Sequence, residues 1–132
     1  MLHLFVYGTL LQADNFYGNY LKKNSEAVCK GKFKGRLYNA GSYPGAIPDS
    51  SAGSFVYGSV LLLNNVAQTL KVMDEYEGVD INEIQPSEYT RDLLDIETAM
   101  GVIRCWVYIY NLPVRSLQFI ESGDYLDFIS TK

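Results

Sequence analysis

Residues 54–78, SFVYGSVLLLNNVAQTLKVMDEYEG, contain the clearest secondary-structure pattern in this 132-residue chain. The first part, residues 54–63, is apolar and rich in β-formers, which predicts a strand. Asn64 or Asn65 can then cap a helix. At about 100° per residue, four positions of that helix fall within an arc of roughly 60°: Val66, Leu70, Met73 and Glu77. A strand joined to a helix with one apolar stripe indicates a fold that contains both elements.

The three acidic side chains near the end of this helix are not equivalent. Glu77 continues the apolar stripe, so its carboxylate is expected on the buried face. Desolvation there should raise its pKa and a nearby positive charge should lower it, so the net direction stays open. Glu75 points to the opposite side by the same arithmetic, and Asp74 lies on the flank. Gly78 is the natural stop, because glycine adopts the left-handed conformation that ends many helices.

The N-terminal segment predicts a strand, a turn and a short helix. Residues 2–7 are rich in β-formers and stop at Gly8-Thr9, which indicates a strand that runs into a turn. A helix over about residues 14–23 follows, with Asp14 as a possible N-cap and Asn24 as its stop.

The middle and C-terminal segments predict further strands. The strand over residues 27–38 contains Gly31 and Gly35, which indicate bulges or close backbone approach, and such bent strands favour a closed barrel. Glycine and proline are dense over residues 39–53, which predicts a long ordered loop. Residues 89–96 and 102–110 alternate and predict a hairpin, whereas the pattern of residues 116–129 leaves helix and strand open. We expect a single domain over residues 1–132.

Charge argues against a nucleic-acid partner. The net charge is −4, and the one dense basic cluster alternates along a single strand, as a solvated strand face does: Lys30, Lys32, Lys34 and Arg36. The two cysteines, Cys29 and Cys105, have no CxxC spacing, and His3 is the only histidine. These patterns predict neither a zinc site nor a disulfide.

The chain also lacks the patterns of a membrane protein. Its apolar start, residues 2–6, is too short for a signal-peptide core or a membrane span and has no basic region before it. We therefore expect a cytoplasmic protein without a membrane partner. No coiled-coil seam is visible, and a monomer or weak dimer is expected.

Two short motifs far apart in the chain carry a resemblance to a known family. VYGTL at residues 6–10 and DEYEG at residues 74–78 together resemble the gamma-glutamylcyclotransferase-like, or AIG2-like, family. Shorter matches follow in order, so that the resemblance spans nearly the whole chain: residues 35–38, 41–46, 57–58, 89–91 and 106–108.

The resemblance implies an α+β fold, a small mixed β-barrel of about five to seven strands flanked by helices. It also implies an enzyme that closes a gamma-glutamyl group into 5-oxoproline and releases the attached amine, with Glu77 as general base and acid. The turn from Tyr7 through Gly8 and Thr9 to Leu10 would hold the substrate. Such an intramolecular reaction requires no cofactor or metal, and the leaving amine stays open.

Further residues are candidates for the pocket wall or for holding substrate. Tyr43 and Tyr89 belong to this group, although Tyr43 can equally shape only its own loop. Arg91 is the third candidate, with an ion pair to Asp92, Asp95 or another strand carboxylate as an equal alternative.

The sequence contains one motif similar to the first turn and allows two functions besides the one that the resemblance implies. A second triplet, Tyr57-Gly58-Ser59, resembles the first turn but lies inside an apolar run, where we expect a strand bulge. The whole chain can also be a non-catalytic module that holds a small carboxylate-bearing ligand in the same pocket. A third possibility keeps the enzyme and changes the amide that it cleaves.

Overall fold

The computed structural model describes residues 1–10, 14–41, 43–78 and 87–130. Within these ranges the chain forms seven strands and three helices. The strands are β1 (His3–Val6), β2 (Ser25–Asn39), β3 (Pro44–Pro48), β4 (Phe55–Leu63), β5 (Tyr89–Thr98), β6 (Gly101–Tyr110) and β7 (Gln118–Phe119). The helices are α1 (Phe16–Lys23), α2 (Val66–Glu77) and α3 (Tyr125–Ser130).

Five of these strands close into a barrel. Their order is β2, β4, β1, β6 and β5, and β5 pairs back onto β2 at Gly31 and Lys32. β1 runs parallel to β6, whereas the other neighbouring pairs in the barrel are antiparallel. β3 and β7 pair with the last part of β2, outside the closed ring. The predicted α+β fold with a small mixed barrel is confirmed.

Two facing glycines let the barrel close tightly. Gly31 of β2 pairs with Gly58 of β4. A Cβ atom on Gly31 would lie 2.6 Å from Ile96 Cγ2, and one on Gly58 would lie 2.3 Å from the carbonyl oxygen of Val6. No real side chain fits at such distances, so glycine is required where neighbouring strands approach this closely. The close approach predicted for β2 is therefore confirmed at Gly31.

The predicted bulges are in the wrong place. The pairing of β2 with β4 continues without a break through Gly58, and its irregularity lies earlier, between Ala27 and Cys29. Glycine is needed at position 58 because the neighbouring strand leaves no room for a side chain, and β4 has no bulge there.

β1 contributes to two apolar layers because successive side chains of a strand point to opposite faces. Phe5 belongs to the cluster inside the barrel and meets Phe33 edge to face, with 5.7 Å between ring centroids. Leu4 belongs to the second cluster, together with Leu21 of α1 and Met73 of α2. Both helices therefore pack against the outer side of β1, next to the turn that follows it.

The ends of the helices differ in detail from the predicted ones. α1 is capped by Asn15, whose side chain accepts a hydrogen bond from the backbone N–H of Gly18, so the predicted cap at Asp14 is wrong by one residue. Asn65 precedes α2 in a left-handed conformation and makes no side-chain cap. Gly78 ends α2 with φ of +71°, as the sequence predicted.

β3 lies inside the segment that was predicted to be a loop, so that prediction is wrong in part. Proline stands at both of its ends, Pro44 and Pro48, and it pairs only with β2 at the edge of the sheet. Proline is confined to such edges because it donates no ladder hydrogen bond, and the same residues read as breakers in the sequence. The hairpin of β5 and β6 is confirmed. No helix in the described ranges is long and apolar enough to cross a membrane.

Candidate active site

A cavity of about 350 Å³ lies at the end of β1, between the barrel and the end of α2. Residues 4–10 form one part of its wall, and residues 76–78 form another. Tyr43, Glu88 and Tyr89 are also in the wall. The turn after β1 and the last residue of α2, which are about 70 positions apart in the sequence, thus face one small space.

The turn leaves little room for a side chain at Gly8. A Cβ atom on Gly8 would lie 3.1 Å from Cγ and 3.3 Å from Cδ of the Pro44 ring. A side chain at this position would therefore press on β3. Thr9 lines the cavity and is partly exposed, whereas Leu10 is buried against the helices. Tyr7, Gly8, Thr9 and Leu10 all contribute to the cavity wall.

The hydroxyl group of Tyr7 has a structural role. It donates a hydrogen bond to the backbone carbonyl of Tyr108 and accepts one from the backbone N–H of Ala46 at 3.3 Å. Burial raises the pKa of this hydroxyl above its ordinary value. Its one proton is therefore engaged within the protein, where the hydroxyl links the residue after β1 to β6 and β3.

Among the titratable groups of the cavity wall, Glu77 has the surroundings that suit a general base and acid best. It is the last residue of α2, it is half-buried, and it lines the cavity. Burial raises its pKa from 4.5 to about 7, with smaller contributions from the negative charges of Glu88 and Asp74. Glu75 is exposed on the other side of the helix, as predicted. Glu77 can therefore accept and return a proton near neutral pH.

Arg91 lies beside the cavity and not in its wall. Its Nε and Nη2 donate to the two carboxylate oxygens of Asp74 at 2.7 and 3.0 Å, and its guanidinium lies 4.4 Å from the centre of the Trp106 ring. The hydroxyl of Tyr108 donates to the same carboxylate at 2.7 Å. Of the two predicted alternatives, the ion pair is the one present, but its partner is in α2 and is neither Asp92 nor Asp95.

Tyr43 and Tyr89 are both in the cavity wall, and each uses its hydroxyl within the protein. Tyr43 donates a hydrogen bond to the carboxylate of Glu88, which raises the pKa of the tyrosine to about 12. Tyr89 is buried, donates to the carbonyl of Pro44, and packs edge to face on Tyr110 with 5.5 Å between ring centroids. Tyr89 therefore anchors β3, whereas Tyr43 orients a second carboxylate.

The sequence analysis did not identify Glu88 as a site residue. It follows a segment with no periodic pattern, and nothing near it in the sequence distinguishes it from a solvated glutamate. It reaches the cavity because β5 begins at the next residue and pairs with β6, which brings Tyr89 opposite Tyr110. Only this pairing register could have revealed it, and the register is not visible in one sequence.

The described residues contain no group of three or more His, Cys, Asp or Glu side chains that could hold a metal ion. Among the described residues of the cavity wall, the acidic side chains are Glu77 and Glu88, and none is a lysine, arginine or histidine. The site is therefore a small, aromatic cavity that carries negative charge.

Comparison with known proteins agrees with this architecture. A sequence profile of the family described as gamma-glutamyl cyclotransferase, AIG2-like, matches residues 4–127. The gamma-glutamylcyclotransferase family protein YtfP of Escherichia coli K12 is 32% identical over 133 aligned residues, which cover 96% of this chain and 97% of that protein. A protein with the same description from Citrobacter rodentium is 37% identical over 92 residues, 70% of this chain and 68% of that protein.

Solved structures show the same likeness. The solution structure of protein ytfP from Escherichia coli superimposes with a TM-score of 0.66 at 31% identity, over 97% of this chain and 99% of that one. The crystal structure of an AIG2-like protein from Mus musculus gives a TM-score of 0.72 at 24% identity, over 94% of this chain and 88% of that one. The mouse protein is too different in sequence to show more than a shared fold.

Proposed function

The chain belongs to the gamma-glutamyl cyclotransferase, AIG2-like family, and from that premise we propose that it cyclises a gamma-glutamyl amine or gamma-glutamyl amino acid to 5-oxoproline. The observation that carries the proposal is the position of Glu77. This half-buried carboxylate has a pKa raised to about 7 and shares one cavity with the turn after β1.

The reaction itself is an exchange of one amide for another within the substrate. The α-nitrogen forms a bond to the carbon of the γ-carbonyl group, and the bond from that carbon to the leaving nitrogen breaks. The α-ammonium loses two protons as it becomes the lactam N–H, and the leaving amine gains two as it becomes an ammonium, so no net proton is consumed. The attacking and leaving groups belong to one molecule, so the protein mainly has to hold the folded conformer and transfer protons.

Glu77 is suited to the proton transfers. As a carboxylate it takes a proton from the α-ammonium, which frees the nitrogen lone pair to attack the γ-carbonyl. As a carboxylic acid it then returns that proton to the leaving nitrogen when the tetrahedral intermediate collapses. The second proton that the α-nitrogen loses passes to the freed amine through the same carboxylate or through solvent. A group with a pKa near the working pH can perform both steps.

The turn after β1 supplies hydrogen-bond donors for the negatively charged oxygens of the substrate, which the Glu77 carboxylate cannot do. Backbone N–H groups of residues 7–10 can hold the α-carboxylate or the γ-carbonyl oxygen, which gains negative charge as the ring closes. Gly8 matters because a side chain there would push the turn away from Pro44. The aromatic walls formed by Tyr43 and Tyr89 would enclose the substrate and exclude water.

The test is release of 5-oxoproline, followed by mass spectrometry, from a panel of gamma-glutamyl amines and gamma-glutamyl amino acids. We expect turnover by the wild type and a fall in kcat/KM of about 10²- to 10⁴-fold in Glu77→Gln, in which the base is lost and the shape is kept. Glu75→Gln is the matched control, because it changes the exposed glutamate of the same helix. Equal turnover by wild type and Glu77→Gln would remove Glu77 from the mechanism.

The panel also separates the enzyme from a binding module. A non-catalytic module would bind members of the panel in a saturable titration and release no 5-oxoproline from any of them. That result would contradict the proposed activity while leaving the cavity as a ligand site.

A further inference from the structure

Glu88 is a second carboxylate in the cavity wall, and the proposed reaction does not use it. Its carboxylate is held by the hydroxyl of Tyr43, whose side chain is 38% exposed. The pair therefore lies where the cavity opens to solvent. A carboxylate that is oriented by a neighbouring hydroxyl at the mouth of a cavity is placed to meet whatever part of a ligand extends outward.

The charge of Glu88 is not balanced by a described basic residue. The ion pairs among the described residues are Arg36–Asp49, Arg91–Asp74 and Arg104–Asp95, and none involves Glu88. The negative charge of Glu88 acts on Glu77, and Arg91, which lies beside the cavity, is already held by Asp74. The cavity thus has two carboxylates and no cation among the wall residues described above.

The charged groups of a gamma-glutamyl substrate indicate which part of the substrate each of the two carboxylates would face. Every gamma-glutamyl compound carries the same α-ammonium, and this group has to reach Glu77 for the reaction to begin. The leaving amine is the only part that varies, and it has to extend from the γ-carbonyl group toward the opening. Glu88 is therefore left to face the leaving amine.

We infer that Glu88, oriented by Tyr43, is a specificity-determining residue that selects substrates whose leaving amine carries a positive charge over substrates whose leaving amine carries a carboxylate. This inference rests on the proposed cyclotransferase function. A second ammonium on the leaving group would meet a carboxylate that has no ion-pair partner among the described residues, whereas a carboxylate there would meet a like charge in a partly desolvated space.

Three gamma-glutamyl amides of similar length test the inference. Their leaving amines are 1,4-diaminobutane, which is cationic, pentylamine, which is neutral, and 4-aminobutanoate, which is anionic. We expect kcat/KM at pH 7.5 and low ionic strength to fall in that order, with about a tenfold difference between the cationic and anionic substrates. Added salt should reduce the difference, because it screens charges near the surface.

Substitutions then assign the preference to one side chain. Glu88→Gln should bring the ratio of cationic to anionic kcat/KM close to one. Tyr43→Phe, which removes the orienting hydroxyl and keeps the charge, should lower the ratio only in part. Glu75→Gln, which removes an exposed negative charge from α2, is the matched control and should keep the wild-type ratio.

The outcomes distinguish the two proposals. Turnover of all three substrates without a charge preference, or a preference that Glu88→Gln leaves unchanged, would overturn the role of Glu88 and leave the cyclotransferase standing. A preference for the anionic substrate would also overturn it. Failure to release 5-oxoproline from all three, together with no turnover in the wider panel, would overturn the proposed function and this inference with it.

Discussion

The guanidinium of Arg91 in β5 holds the carboxylate of Asp74 in α2 through two hydrogen bonds, three residues before Glu77. Both side chains are about one-fifth exposed, and the hydroxyl of Tyr108 donates to the same carboxylate. The last turn of α2 is therefore fixed to β5 and β6, the strands that also contribute Tyr89 and Tyr108 to the cavity wall. Arg91 acts on the site through Asp74, as a positioning residue.

Arg91→Lys should reduce turnover more than substrate binding. Lysine keeps the charge but cannot form the two parallel hydrogen bonds of a guanidinium, so the end of α2 should become less well fixed. We expect kcat to fall about tenfold with KM changed less, and the free energy of unfolding to fall by about 2 kcal/mol. Steady-state kinetics and urea denaturation measure the two effects.

The matched control for this prediction is the ion pair between Arg104 and Asp95. It has one contact of 3.1 Å, its side chains are 47% and 64% exposed, and it joins the same two strands away from α2. Arg104→Lys should change stability by less than about 0.5 kcal/mol and leave kcat unchanged. Similar losses in both variants would show that Arg91 has no special relation to Glu77.

Glu77→Gln should stabilise the protein, and more so at high pH. The pKa of Glu77 is raised from 4.5 to about 7 in the folded state, so between these values the folded protein binds more protons than the unfolded chain. The free energy of unfolding contributed by this group therefore falls as pH rises through that window. The resulting gain in the free energy of unfolding of Glu77→Gln over the wild type is at most about 3 kcal/mol at pH 8 and vanishes near pH 4.

The measurement is urea denaturation of wild type and variant at pH 4, 6 and 8. The difference in the free energy of unfolding between the two proteins reports the loss of the Glu77 carboxylate. Glu75→Gln should show no such trend, since its carboxylate is exposed. A stability difference that is the same at all three pH values would contradict a raised pKa at Glu77.

The sequence predicted the position of Glu77 better than it predicted the ends of the neighbouring strands and helices. The apolar stripe of α2 has a helical period, and that period alone put Glu77 on the buried face. β3 was not predicted as a strand, because an edge strand with proline at each end has the composition of a loop. Glu88 and the ion-pair partner of Arg91 were not predicted for another reason. Both depend on which strands and helices are neighbours in the folded protein. Pairing across a barrel is a property of the whole chain, and no local pattern encodes it.

The pH dependence of kcat/KM should report Glu77 and its neighbour Glu88. The reactive form of the free enzyme has Glu77 ionised, so kcat/KM should rise with pH through about 7. The charge of Glu88 contributes to that raised pKa, so Glu88→Gln should move the rise to lower pH. Asp95→Asn removes an exposed charge from the far part of β5 and should leave the midpoint in place. An unchanged midpoint in Glu88→Gln would mean that the two carboxylates do not interact.

The two similar triplets, Tyr7-Gly8-Thr9 and Tyr57-Gly58-Ser59, give the last prediction its own control. The Tyr7 hydroxyl is buried between a carbonyl and an N–H of two other strands, whereas the Tyr57 side chain is 42% exposed. Tyr7→Phe removes the partner of two buried backbone groups and should lower the free energy of unfolding by about 1–3 kcal/mol. Tyr57→Phe should change it by less than about 0.5 kcal/mol, as exposed substitutions usually do. Urea denaturation of the two variants measures both values, and equal losses would show that the Tyr7 hydroxyl is not the link between β1, β3 and β6 that its hydrogen bonds indicate.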